Sequence, residues 1–252
     1  MTATNAATSW IKYPRPNPQA RLRLFCFPYA GSGASIYQAW PNNLPPEIEV
    51  CSVQLPGREN RLKEPAFSQI SNLTQALASV LRSQMNIPFA FFGHSMGSLL
   101  SFELARQLRR QNAPSPVHLF AASRRGPQMP AKTGPTYLLP EDEFIEKMRF
   151  VDGTSEAILQ SPKWINYLLP ILRADLLMCE TYNYTDEGPL NCPISAFGSY
   201  SDPVVSQEEV AGWSVQTNNL FKLQMFDGNH FFLHNARTDI LQAIAQDLIQ
   251  FL

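Results

Sequence analysis

This chain is short of the features that would send it to a membrane, a disulfide scaffold or a nucleic acid. Its four cysteines, Cys26, Cys51, Cys179 and Cys192, make no CxxC pair and no metal-ligand spacing. Two of them fall inside apolar runs, where a thiol packs as a small hydrophobe, so buried, reduced cysteines are expected and a metal site is not. Charge is balanced, 20 Lys and Arg against 21 Asp and Glu, which removes the electrostatic basis for a nucleic-acid partner. No stretch reaches about 18 uncharged apolar residues, and the opening MTATNAATSW has neither the basic nor the apolar segment of a secretory signal. A cytoplasmic protein without membrane contact is the expectation. Internal repeats are also absent, as are low-complexity tracts beyond the N-terminal stretch.

Apolar residues, by contrast, make up 44% of the chain, ample for a core. Runs rich in aromatic and β-branched residues recur at 21–28, 49–56, 88–94, 117–123, 193–199 and 220–226. Most are too continuously apolar to keep a face in water. Amphipathic segments lie between them: Leu73, Leu77, Val80 and Leu81, then Leu100, Leu104 and Leu108, then Leu241, Ile244, Leu248 and Phe251 repeat at helical spacing. Strands buried on both faces and alternating with helices describe an α/β fold around a mostly parallel sheet. Between 124 and 190 no strand is evident. Prolines recur there and three helical pieces are expected, around 141–149, 154–160 and 163–182. The chain is therefore expected to be one domain, with a core of about 10–123 and 191–252 and a helical lid insertion at about 124–190.

The run PFAFFGH ends in Gly93-His94-Ser95-Met96-Gly97 and turns at once into the amphipathic MGSLLSFELARQLRR. This is G-x-S-x-G placed between a strand and a helix, the setting of a nucleophile elbow. A serine hydroxyl needs a histidine to take its proton, an acid to orient that histidine and backbone N–H groups for the oxyanion. His230, in a loop after the last strand, is the candidate base, with His234 its rival; His94 and His118 read as packing. Asp202, in a turn after the fifth long run, is the candidate acid, with Asp227 the alternative. Ser95, Asp202 and His230 then follow the chain order of the α/β-hydrolases. The oxyanion hole is expected from the N–H of Met96 and one from the loop FPYAGSGAS, with Ala30 the choice and Tyr29 possible. The His230-x3-His234 pair lacks the glutamate and third ligand of a zinc site.

FPYAGSGASIYQAWPNNLP, VQLPGRENRLKEP, FFGHSMGSLLSFELARQL, ASRRGP, GSYSDP and DGNHFFL together resemble the type II thioesterases that accompany nonribosomal peptide and polyketide synthases. The resemblance runs from about residue 10 to the C-terminus. It implies an α/β-hydrolase that clears acyl groups from the phosphopantetheine arm of acyl or peptidyl carrier proteins, with Ser95 as nucleophile, Asp202 as acid, His230 as base and the Met96 and Ala30 backbones as oxyanion hole. No cofactor is implied, the pantetheine belonging to the substrate, and a monomer is expected. A medium-chain fatty-acyl thioesterase would use the same residues, and a catalytically silent binding module would have lost one of them. Carrier domains are generally acidic, so the basic residues Arg58, Arg61, Lys63, Arg124 and Arg125, expected at the rim of the site, read either as a docking surface or as a solvated rim without function.

Overall fold

Seven strands form one sheet in the computed structural model, which describes residues 9–131, 134–151 and 156–252. They are β1 (Ile11–Lys12), β2 (Leu22–Phe27), β3 (Ile48–Val53), β4 (Phe89–His94), β5 (Leu119–Ala122), β6 (Ile194–Ser199) and β7 (Phe221–Phe226). The order across the sheet is β1-β3-β2-β4-β5-β6-β7, with every pairing parallel except β1 on β3. Six strands match the apolar runs; β1, two residues long, is too short to show a period. The first eight residues of the N-terminal stretch lie outside the described residues.

Alternation along the strands supplies two cores. Phe25 and Phe27 of β2 and Phe89 and Phe91 of β4 point to one face, where they meet edge to face at centroid separations of 5.2 to 6.0 Å. The helices α1 (Ile70–Leu81) and α2 (Met96–Arg110) cover that face with Leu73, Leu77, Leu100 and Leu104. Leu24, Ala90 and Phe92 point the other way, onto Tyr37, Trp40 and the last helix. All four cysteines are buried and free.

Between β5 and β6 the chain forms α3 (Glu141–Val151), α4 (Glu156–Leu159) and α5 (Pro162–Glu180). These correspond to the three expected pieces, except that positions 154 and 155 lie outside the described residues. Pro162 opens α5, where its missing N–H costs nothing, while Pro170 within it removes one helical hydrogen bond. Two further helices follow β6 and β7, α6 (Gln207–Ala211) and α7 (Arg237–Leu248).

The order β3-β2-β4 reverses the direction in which the chain crosses the sheet. Loops leaving the carboxyl ends of β2 and β4 therefore diverge and leave a crevice between them. That crevice is where Ser95 and Ala30 emerge.

Candidate active site

Ser95 sits between the last residue of β4 and the first of α2 with φ 53° and ψ −109°, a backbone that costs about 1–3 kcal/mol for a residue with a side chain. The flanking glycines are what permit it. A Cβ on Gly93 would stand 2.2 Å from the Gly97 carbonyl oxygen, and one on Gly97 2.1 Å from that of Phe27, at the end of β2. The turn is held by Ser95 N–H donating to Ala122 O at 2.8 Å. Ser98 Oγ, 2.8 Å from both the Gly93 and Ala122 carbonyls, ties the first turn of α2 to β4 and β5.

The residues singled out in the sequence converge here. His230 Nε2 lies 3.0 Å from Ser95 Oγ, placed to accept its hydrogen. The other ring nitrogen, Nδ1, faces Asp202 at 2.9 Å from Oδ2 and 3.1 Å from Oδ1. Asp202 is fixed in turn by the N–H groups of Val204, at 2.8 Å, and Val205, at 3.2 Å. Its side chain is 1% exposed and that of His230 6%, so the ion-stabilising geometry is screened from bulk water. Asp227 is exposed, and His234 instead pairs with the Tyr29 hydroxyl at 3.1 Å.

Two contacts on His230 could not be read from the sequence. Its carbonyl lies 2.8 Å from His94 Nε2 and 2.8 Å from Ser123 Oγ. His94 is fully buried, and burial first, then the charge of His230, holds its pKa well below the usual imidazole value. It is thus a neutral ring whose Nε2–H donates to the loop carrying His230. It packs as the sequence suggested, against Phe231 and Phe232, and it also holds that loop in register with the elbow.

Met96 opens α2, where a helix leaves its N–H groups without partners and adds its positive dipole end. Across the crevice, the Gly31 N–H is committed to Asp175 Oδ2 at 2.8 Å and the Ser32 N–H to Tyr29 O at 3.1 Å. Among the described residues neither the Met96 nor the Ala30 N–H is engaged in a loop or side-chain hydrogen bond. Beside Ser95 opens a cavity of about 430 Å³, bounded by Leu172, Leu176 and Cys179 of α5, by Met148 and Val151 of α3, and by Pro203 and Phe231.

The basic residues do not form the expected rim. Arg58 is 2% and Arg61 5% exposed. Arg58 makes a two-pronged pair with Asp175 of α5, at 2.7 and 2.9 Å, while Arg61 pairs with Glu64 and stacks on Trp10. Arg124 and Arg125 are half-buried and line the cavity. Only Lys63 remains an exposed cation in this group. The reason is local: the LPGRE turn folds under the loop that follows β2 instead of away from it.

A second Ser, His and Asp cluster lies at the other end of the sheet. Ser195 Oγ donates to Asp247 Oδ2 at 2.6 Å and sits 2.9 Å from His118 Nε2. Here the serine stands between acid and histidine, so no base is oriented toward a nucleophile. Ser195 is fully buried in β6, and the cluster fastens α7 to the sheet. Burial lowers the pKa of His118 to about 4, with Asp247 opposing that shift.

The thioesterase domain family model matches residues 22–248. The gramicidin S biosynthesis protein GrsT of Aneurinibacillus migulanus is 42% identical over 248 residues, covering 98% of this chain and 97% of its own. The medium-chain S-acyl fatty acid synthase thioesterase of Homo sapiens is 32% identical over 227 residues, 86% of this chain and 83% of its own. Among solved structures, the type II thioesterase BorB from the borrelidin biosynthetic cluster matches with a TM-score of 0.86 and 37% identity, covering 94% of this chain and 97% of that one. The chain therefore belongs to the thioesterase family, with the α/β-hydrolase fold, and groups there with the type II thioesterases of nonribosomal peptide and polyketide clusters.

Proposed function

We propose that this protein hydrolyses acyl thioesters from the phosphopantetheine arm of carrier proteins by a serine mechanism, removing aberrant or stalled acyl groups from a peptide or polyketide synthase. The observation that carries the reading is the relay Asp202, His230, Ser95 opening onto a cavity large enough for an acyl chain.

His230 Nε2 takes the Ser95 proton as Oγ attacks the thioester carbonyl, and Asp202, facing Nδ1, stabilises the imidazolium that forms. The Met96 and Ala30 N–H groups receive the charge that develops on the carbonyl oxygen. The tetrahedral adduct collapses, the C–S bond breaks and the His230 imidazolium gives its proton to the leaving sulfur, so pantetheine departs as its thiol. Water then enters, loses its proton to His230, and the acyl-enzyme hydrolyses to the carboxylic acid and free Ser95. In this scheme α3, α4 and α5 act as a lid over the acyl chain, and the substrate supplies the only prosthetic group.

The test is hydrolysis of a panel of acyl-carrier proteins and matching acyl-pantetheines of graded chain length, with Ser95→Ala, His230→Ala and Asp202→Asn beside wild type. Ser95→Ala should lose fluorophosphonate labelling, and His230→Ala about three or more powers of ten in turnover. Retained labelling in Ser95→Ala, or full turnover without His230, would remove the mechanism. The 32% identity to the human medium-chain thioesterase favours one second reading, action on medium-chain fatty-acyl carriers; a sharp maximum at medium chain length in the same panel would select it.

A further inference from the structure

Arg124 leaves the sheet two residues after β5, whose last residue, Ala122, is the register partner of His94. Adjacent strands are about 4.8 Å apart, so the Arg124 backbone emerges beside the nucleophile turn. The indole N–H of Trp213 fixes it there by donating to the Arg124 carbonyl at 2.8 Å. The side chain enters the same cavity as Ser95 and lies against the Cys179 thiol of α5.

Its Nε is buried and has no hydrogen-bond partner. Among the described residues neither Arg124 nor Arg125 forms an ion pair with a carboxylate. Of the acidic side chains of the cavity wall, Glu180 accepts the Tyr137 N–H at 3.2 Å and Glu209 accepts the Ser206 N–H at 2.9 Å in a capping box, while both also lie close enough to Arg125 to favour its charge. Arg125 Nε reaches only the Met129 carbonyl, and burial followed by the like charge of Arg124 disfavours its charged form, with Glu209 and Glu180 opposing that shift. Two adjacent guanidiniums, neither ion-paired, thus stand on the wall of the chamber that holds Ser95, beside Lys147, Glu180 and Glu209, and a bound oxygen acceptor can take up donors that they leave over.

We propose that Arg124 is a specificity-determining residue whose guanidinium receives an oxygen of the acyl group, a second carbonyl or a carboxylate a few atoms beyond the thioester carbonyl. Resting on the thioesterase reading above, this makes β-ketoacyl, carboxyacyl and N-acylaminoacyl thioesters better substrates than plain alkanoyl ones of equal length. The phosphate of the pantetheine arm carries matching chemistry but sits many bonds beyond the sulfur, too far from the reacting carbonyl to reach a side chain rooted beside Ser95.

The experiment compares hexanoyl, β-ketohexanoyl and N-acetylglycyl thioesters of N-acetylcysteamine, which has no phosphate, with wild type, Arg124→Met and Arg124→Lys. Wild type should favour the two oxygen-bearing acyl groups in kcat/KM. Arg124→Met should cut that preference by about tenfold or more, with Arg124→Lys intermediate and the labelling of Ser95 by a fluorophosphonate showing an intact site. An unchanged ratio in Arg124→Met overturns the inference. So does a loss that appears only when the same acyl groups are carried on phosphopantetheine, since that places the phosphate against Arg124. Failure of wild type to hydrolyse any of the three would instead defeat the thioesterase reading itself.

Discussion

Removing Asp175 should damage both stability and turnover, and the two effects can be separated. The carboxylate is 1% exposed and the Arg58 guanidinium 3%. They meet at 2.7 and 2.9 Å, and the same Oδ2 accepts the Gly31 N–H at 2.8 Å. Asp175→Ala leaves Arg58 with only the Pro56 and Ser32 carbonyls, each at 3.2 Å, and no countercharge. A buried charge stranded in this way costs about 3–5 kcal/mol, a large part of a typical total of about 5–15 kcal/mol. Replacing both partners, as in Arg58→Met with Asp175→Leu, removes the stranded charge and should recover most of that loss. Turnover should not recover with it. Gly31, at φ +79°, adjoins Ala30, the proposed oxyanion donor, and packs so closely on α5 that a Cβ there would stand 2.5 Å from Leu172. Without the carboxylate the Gly31 N–H loses its partner and the turn keeps the bonds from Ser32 N–H and Oγ to the Tyr29 carbonyl, at 3.1 and 2.7 Å; a donor misplaced by that loosening costs up to about 100-fold to 1,000-fold in kcat. Urea midpoints and thioester turnover of the two singles and the double measure both quantities. A destabilisation of Asp175→Ala below about 1 kcal/mol would refute the buried-charge argument, and a double variant with wild-type kcat would refute the tether.

Gly97→Ala should fold poorly or lose nearly all activity, because its Cβ would meet the Phe27 carbonyl oxygen at 2.1 Å; wild-type turnover with an unchanged thermal midpoint would show that β2 yields more than a packed sheet allows. The pH dependence of stability should follow the two buried neutral histidines. His94 and His118 have lowered native pKa values, the latter about 4, so below about pH 6.5 the unfolded chain binds protons that the native one refuses, and stability falls as pH falls. Each contributes about 1.4 kcal/mol per pH unit, or roughly 2–4 kcal/mol together between pH 6.5 and 5. A urea midpoint flat over that interval would contradict their burial as neutral rings.

The parts that were legible in the sequence are those whose signal is local. Continuous apolar runs of about six residues fix the strands because no other element buries both faces at that length, and G-x-S-x-G needs only a strand before it and a helix after it to be read. Asp202 and His230 follow because each occupies a short polar loop directly after a strand. Arg58 shows the opposite case. An arginine in a Pro-Gly turn looks like a solvated charge, and its partner Asp175 is 117 residues away, in an amphipathic helix where an acidic residue attracts no notice. The pairing exists only once α5 lies over the loop after β2. His94 behaves likewise, since its acceptor is a backbone carbonyl 136 residues on, and a backbone atom leaves no trace in residue identity.

Proximity of a serine, a histidine and an aspartate is therefore the wrong criterion for the site, and this molecule carries its own control. Ser195, His118 and Asp247 lie as close together as Ser95, His230 and Asp202. Yet Ser195 is inside a strand, wholly buried, and donates its proton to the acid, so it has neither a base waiting nor room for a carbonyl to approach. Ser95 differs in its backbone: a positive φ lifts the hydroxyl out of the sheet toward the cavity, and the helix that begins at the next residue supplies the N–H proposed for the oxyanion. What fits one serine for the proposed role of nucleophile and leaves the other a fastener is the pair of glycines that allows the turn, together with the change of strand order that opens a crevice above it.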